Sequence, residues 1–230
     1  MLKAPTVSSL QKATQPKPAN QNEVDRVYHQ IREWLMDAVL PPGEFLSEPD
    51  LAQRCHTSRT PVREACMRLH QDRWLSRFPR KGFLVTPISV RDIVDLYQFR
   101  KLLECFTAET VAQSATTEQI AELRALLDVE DNPAADTAAM VQANEAFHLR
   151  LAAMAGNERV LDQLGLTLAF ARRLDTLYMR VDRSWIAHHD LIKALEAHSG
   201  SLARQAMTAH LDHSQACLVK LFGSSIPRVK

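Results

Sequence analysis

Residues 46–85, LSEPDLAQRCHTSRTPVREACMRLHQDRWLSRFPRKGFLV, carry the pattern from which the fold of this chain is read. Ser47 stands where an N-cap is wanted, and Leu51 and Ala52 fall on the apolar side of a short helix. His56-Thr57-Ser58 makes a turn. A second helix starts near Ser58, accommodates Pro61 in its first turn and presents Val62, Ala65, Cys66 and Leu69 as a buried stripe. Trp74–Phe78 and Phe83–Thr86 alternate as strands about a Pro79-Arg80-Lys81-Gly82 turn. Arg59 and Arg63 are four residues apart, so both guanidinium groups share one face at one end of the second helix. Such an end suits a DNA major groove.

Working outward, Val24, Val27, Tyr28, Ile31, Trp34 and Leu35 keep a helical period over Asn22–Val39, and Pro41-Pro42-Gly43 stops it. Helix, helix, helix and hairpin is the order of a winged helix-turn-helix. Thr86-Pro87-Ile88-Ser89 then links to a segment that reads as helix throughout. Ser89 caps a helix to about Ala115, with Ile93, Leu96, Phe99, Leu103 and Phe106 expected inward. Thr116-Thr117-Glu118-Gln119 has the form of a capping box, and Asn132-Pro133 breaks the helix it starts. Further helices are expected over Asp136–Ala155, Glu158–Met179, Ser184–Ala197 and Ser201–Phe222. The fold class is therefore mainly α: an N-terminal winged helix-turn-helix and a C-terminal all-α antiparallel helical bundle. The boundaries expected are a disordered arm over 1–20, a DNA-binding domain over 21–87, a helical effector and dimerisation domain over 88–222, and a tail over 223–230.

Composition narrows the class. The four cysteines form no CxxC pair, which fits a reduced, cytoplasmic chain with buried thiols better than a disulfide frame. No apolar run reaches membrane-spanning length, so no membrane partner is expected, and the first twenty residues lack the apolar core of a secretory signal. Net charge is +1, but residues 54–81 hold eight basic against two acidic side chains, which leaves −5 for the rest. A basic segment on a mildly acidic body is the footprint of a polyanion-binding module joined to something else.

With these residues in place, the chain resembles a known family. Ser47-Glu48, Leu51-Ala52, Ser58-Arg59-Thr60-Pro61-Val62-Arg63-Glu64-Ala65, Leu69 and Arg80-Lys81-Gly82-Phe83 are similar to the GntR family of bacterial transcription regulators. The helical part resembles the FadR branch with its FCD effector domain. The matching residues are Arg100, Leu103-Glu104, Phe147-His148, Gly156-Asn157, His188, Leu191-Ile192, Ala194-Leu195, Ala206-Met207 and His210-Leu211.

The resemblance implies a ligand-responsive regulator, by family habit a repressor, that is not an enzyme and binds an inverted-repeat DNA operator as a homodimer. Positions matching Arg59 and Arg63 contact DNA in the family. A bidentate arginine–guanine pair discriminates by about 1–3 kcal/mol. Ser58 and Thr60 can donate hydroxyls, and Arg80 and Lys81 at the hairpin tip can reach the minor groove or the backbone. Pro49 departs from the pattern, because a studied branch member has a DNA-contacting arginine there.

In many FCD domains an Asp, a His four residues on and two later His hold a metal. The matching residues here are Asn144, His148, His188 and His210, a set suited to Zn²⁺ or Ni²⁺. His188 is preferred to His189 by register. Asn144 departs from the pattern, since an amide lacks the carboxylate's charge. The family senses small organic acids, so a carboxylate effector is expected, with Arg100 or Arg172 as its cation. For Arg100 the simpler partner is Glu104, four residues on. Two alternatives stand beside this reading: a regulator that senses the metal directly, and, more remotely, a zinc enzyme. Against the latter, the sequence offers no HExxH, and Glu145 points about 100° away from Asn144.

Overall fold

The computed structural model describes residues 18–132, 134–182 and 187–224. Most of the expected arm and tail, the break at Pro133 and the helix start at Ser184 lie outside the described residues; residues 18–20, expected in the disordered arm, instead begin a helix. The chain divides into two compact units. One comprises residues 1–33 and 43–86, and the other 34–42 and 87–230. The second boundary falls at the expected linker, but residues 34–42 group with the helical unit.

The first unit takes all but the last three residues of α1 (Pro18–Met36), which buries Val24, Val27 and Ile31 on one face. The Ser47 hydroxyl accepts from the Asp50 amide and starts α2 (Glu48–Arg54). The turn to α3 (Arg59–Gln71) is made without glycine, by His56 at φ +52°. Val62, Ala65, Cys66 and Leu69 of α3 are buried, as their spacing predicts. The hairpin is β2 (Leu75–Phe78) against β3 (Gly82–Val85). A third strand, β1 (Phe45–Leu46), completes an antiparallel sheet in the order β1-β3-β2. Its two residues are too few to show alternation. The β1–β3 approach explains Gly82, which lies at φ +96° with no room for a Cβ against the Leu46 carbonyl oxygen.

The second unit contains α4 (Val90–Ser114), α5 (Thr117–Leu126), α6 (Thr137–Met154), α7 (Glu158–Met179), α8 (His189–Glu196) and α9 (Gly200–Ser224). Capping boxes at Ser89/Asp92 and Thr116/Gln119 start α4 and α5. The bundle is built around α4, which packs along α9 and also touches α6, α7 and α8. Phe147, Leu151, Leu174, Leu191, Leu195, Met207 and Leu211 close around its buried side.

That side is rotated from the one the apolar spacing predicts. Ile93, Tyr97, Arg100, Glu104, Ala108 and Val111 face inward. Phe99 and Phe106 are exposed, and Leu96 and Leu103 are half-buried. An ion pair occupies the middle of the core face, so counting apolar residues alone misplaces it. No helix among the described residues is long and apolar enough to cross a membrane.

Alanine at Gly43 (φ +83°, open space around it) should cost about 1–2 kcal/mol, the strain of a left-handed backbone. Gly82→Ala adds a backbone clash to that strain. Urea denaturation should rank it as clearly the more destabilised of the two.

Candidate functional site

The first unit gathers a basic surface. Ser58 precedes α3, and its side chain makes no capping bond, which leaves the hydroxyl uncommitted. Ser58, Arg59, Thr60 and Arg63 are all exposed at the start of that helix. The start of a helix also directs free N–H groups and partial positive charge at an anion. Arg63 Nε lies 4.0 Å from Glu48 Oε1, an exposed pair that restrains the guanidinium only weakly. Arg63, Arg77, Arg80 and Lys81 line one cleft between the start of α3 and the wing, and Pro49 forms part of its wall. Arg80, at the wing tip, is at φ +65°. Arg77 was legible only as a basic residue. Its place in the cleft follows from its outward position on β2.

The second unit buries three histidines together. His148 comes from α6, His188 directly precedes α8, and His210 comes from α9. Each offers a ring nitrogen within 4.8 Å of the other two. His188 is buried, while the side chain of His189 is half exposed and meets Asp131.

Carboxylates orient two of the rings. His148 Nδ1 lies 2.5 Å from Glu104 Oε2. His188 Nδ1 lies 2.7 Å from Glu130 Oε1, and Glu130 also accepts from the His188 backbone N–H. A carboxylate only accepts, so a neutral ring at either place carries its proton on Nδ1 and a lone pair on Nε2, although the His148 contact lies outside hydrogen-bond alignment. Those two Nε2 atoms are 3.2 Å apart. Lone pairs at that distance repel unless a proton or a cation lies between them. A shared proton serves two nitrogens, whereas three converge here. Nitrogens bound at about 2.1 Å to a tetrahedral or octahedral ion are separated by about 3.0–3.4 Å. The donor set therefore fits a divalent transition metal.

Burial pushes His148 below the ordinary histidine range despite the pull of Glu104, and pushes His210 well below it. Both are kept neutral, as ligation requires. Burial would raise the Glu104 carboxyl, but Arg100, with His148 behind it, outweighs burial and brings it down to about 2. Arg100 Nε donates to Glu104 Oε1 at 2.6 Å, and the guanidinium sits 4.8 Å from the Tyr97 ring centre.

Asn144, the fourth expected ligand, is buried one turn before His148. Its Nδ2 donates to Asp175 Oδ2 at 3.3 Å, and its Oδ1 has no hydrogen-bond partner. Burial pushes the Asp175 carboxyl up to about 7 against the pull of Arg100. Tyr97, Arg100, Asn144, Asp175, Tyr178 and His210 line a common cavity.

Arg172 is placed elsewhere. It bonds Asp37 at 2.6 Å and Glu145 at 3.3 Å, and it is absent from the lining of this cavity. The simpler partner for Arg100, Glu104, is the one it has. Glu130 and Asp175 went unnoticed as site residues. Glu130 lies in the turn after α5 and Asp175 among apolar residues of α7, and neither has a local motif to mark it.

The chain is similar along its length to known regulators. The model described as bacterial regulatory proteins, gntR family, matches residues 23–85, and the FCD domain model matches residues 95–213. The Nta operon transcriptional regulator of Aminobacter aminovorans is 32% identical over 151 residues, covering 64% of this chain and 72% of that protein. The HTH-type transcriptional repressor RspR of Escherichia coli K12 is 26% identical over 204 residues, covering 85% and 86%. A GntR transcriptional regulator from Rhodococcus sp. RHA1 has the same fold, with a TM-score of 0.74, 25% identity and coverage of 86% of this chain and 98% of its own. The E. coli McbR/YncC structure shares the fold at a TM-score of 0.71 and 21% identity, covering 87% and 98%.

Winged helix-turn-helix and helical bundle together define a DNA-binding transcriptional regulator rather than an enzyme. The chain belongs to the GntR family and carries an FCD domain.

Glu104→Ala would leave Arg100 buried without its anion. Thermal or urea unfolding should show a loss of about 3–5 kcal/mol, the cost of breaking a buried pair. Glu122→Ala, which removes the partner of Arg150 on the surface, should leave stability nearly unchanged.

Proposed function

We propose that this protein is a repressor of the FadR branch that works in the cytoplasm as a homodimer on an inverted-repeat operator. A small organic acid, bound through a divalent metal in the FCD domain, would release it. The observation that carries the metal is the pair of inward Nε2 lone pairs, fixed by Glu104 and Glu130 and joined by His210. His148, His188, His210 and the Asn144 oxygen would hold Zn²⁺ or Ni²⁺. The ion would supply positive charge and an open position for a carboxylate.

Arg100 is taken up by Glu104, so the ion rather than this guanidinium would meet an incoming carboxylate. The cavity beside His210 is lined by Tyr97, Arg100 and Tyr178, side chains that could meet an organic acid reaching the ion.

Contacts to the 34–42 segment support a route for the signal. Glu145 follows Asn144 on α6 and shares Arg172 with Asp37, which lies in the 34–42 segment. Arg180 donates to the carbonyls of Asp37 and Ala38 in the same segment. A ligand that shifts α6 or α7 thereby disturbs the residues leading to the DNA-binding unit.

For the dimer, Phe99, Leu102 and Phe106 form an exposed apolar row on α4, with Leu102 73% exposed, and Leu166 is exposed on the adjacent α7. A contiguous row of this kind marks an association surface. The RspR relative is a repressor by name, which supports the direction of control.

Three measurements test the reading. Arg63→Ala should keep the fold by circular dichroism but lose at least tenfold in operator affinity by fluorescence anisotropy; unchanged affinity removes Arg63 from the interface. Leu102→Lys should shift the protein from dimer to monomer in light scattering and weaken operator binding with it. Protein made without a His tag should contain about one metal per chain by mass spectrometry. Operator binding should then respond to a carboxylate library only when metal is present, whereas a response to Zn²⁺ alone would point to direct metal sensing.

A further inference from the structure

Position 144 carries an amide where the resemblance places a carboxylate, and the charge has a nearby counterpart. Asp175, on α7, is buried, and Asn144 Nδ2 donates to its Oδ2 at 3.3 Å. That bond uses the amide nitrogen, which leaves Oδ1 as a buried acceptor with no partner. Asn144 shares a helical face with His148, whose ring meets those of His188 and His210. Asn144, Asp175 and His210 also line the same cavity. A buried acceptor with nothing to accept and a buried carboxylate with no cation bonded to it among the described residues are both costly by themselves. A cation among the histidines relieves both.

We infer that Asp175 is a positioning residue for the metal centre. It orients the Asn144 amide so that Oδ1 is free to ligate, and it returns, from one bond further out, the negative charge that position 144 lacks. This inference rests on the metal reading above and concerns which residues supply charge and orientation to it. Partners that orient a ligating group commonly affect metal affinity by about 10–100-fold.

The test is a cycle of Asp175→Asn, Asn144→Asp and the double variant in the full-length protein. Zn²⁺ affinity is read by competition with a chromophoric chelator, and folding is checked by circular dichroism in EDTA. Asp175→Asn should weaken Zn²⁺ binding at least tenfold. The double variant, which moves the carboxylate from 175 to 144, should recover to within about threefold of wild type. Equal affinity of Asp175→Asn and wild type overturns the inference, as does a double variant no better than Asp175→Asn. If Asp175→Asn does not fold, Asn144→Asp and the double variant are compared instead. Similar affinities support the inference, and a large loss in the double variant overturns it. A wild-type protein that takes up neither Zn²⁺ nor Ni²⁺ removes the metal reading itself, an outcome distinct from failure of the Asp175 variants alone.

Discussion

The carboxylate of Glu104 is fully buried and holds two cationic or proton-bearing groups at once: Arg100 one turn earlier on α4, and the Nδ1 of His148 on α6. A lone carboxylate at that depth would lose several kcal/mol of hydration. Arg100 offsets that loss and keeps the group ionised, which makes it a strong acceptor for the imidazole. The histidine tautomer is therefore decided on α4, not on the helix that carries the ring. Geometry follows from the same contact. The distance between α4 and α6, the outward rotation of Phe99 and Phe106 and the inward direction of His148 Nε2 are all consistent with one inward-facing ion pair.

Glu130 does for His188 what Glu104 does for His148, from a turn rather than a helix. Two carboxylates behind two imidazoles raise the basicity of the ring nitrogens that face inward. Arg100 answers the first of these acids on its own helix, and the second is held by the ring and the backbone N–H of His188.

Local signals made the N-terminal unit readable almost to the residue: a Ser47 cap, a buried stripe on α3 and a glycine at the wing. They were blind to the left-handed His56 and to β1, because a turn without glycine and a two-residue strand leave no pattern. In the bundle, helix limits were legible because capping residues are local. Side-chain partners were not. Asp37 and Arg172 are 135 residues apart, and Glu130 and His188 are 58 apart. The inward face of α4 was misread for a related reason, since its centre is a salt bridge and apolar counting gives a salt bridge no weight. The histidines were found through family register, and their supporting carboxylates only through packing.

Asn144 shows what such a register leaves out. A motif compares one position at a time, and at 144 it records a lost carboxylate. The structure compares neighbours, and beside 144 it holds a carboxylate 31 residues further along the chain. That acid stands one bond further from the histidines than a carboxylate at 144 would, so its pull on a cation is weaker. What differs is the atom on α6: a neutral oxygen with one bonded neighbour rather than an anion able to hold a cation through two.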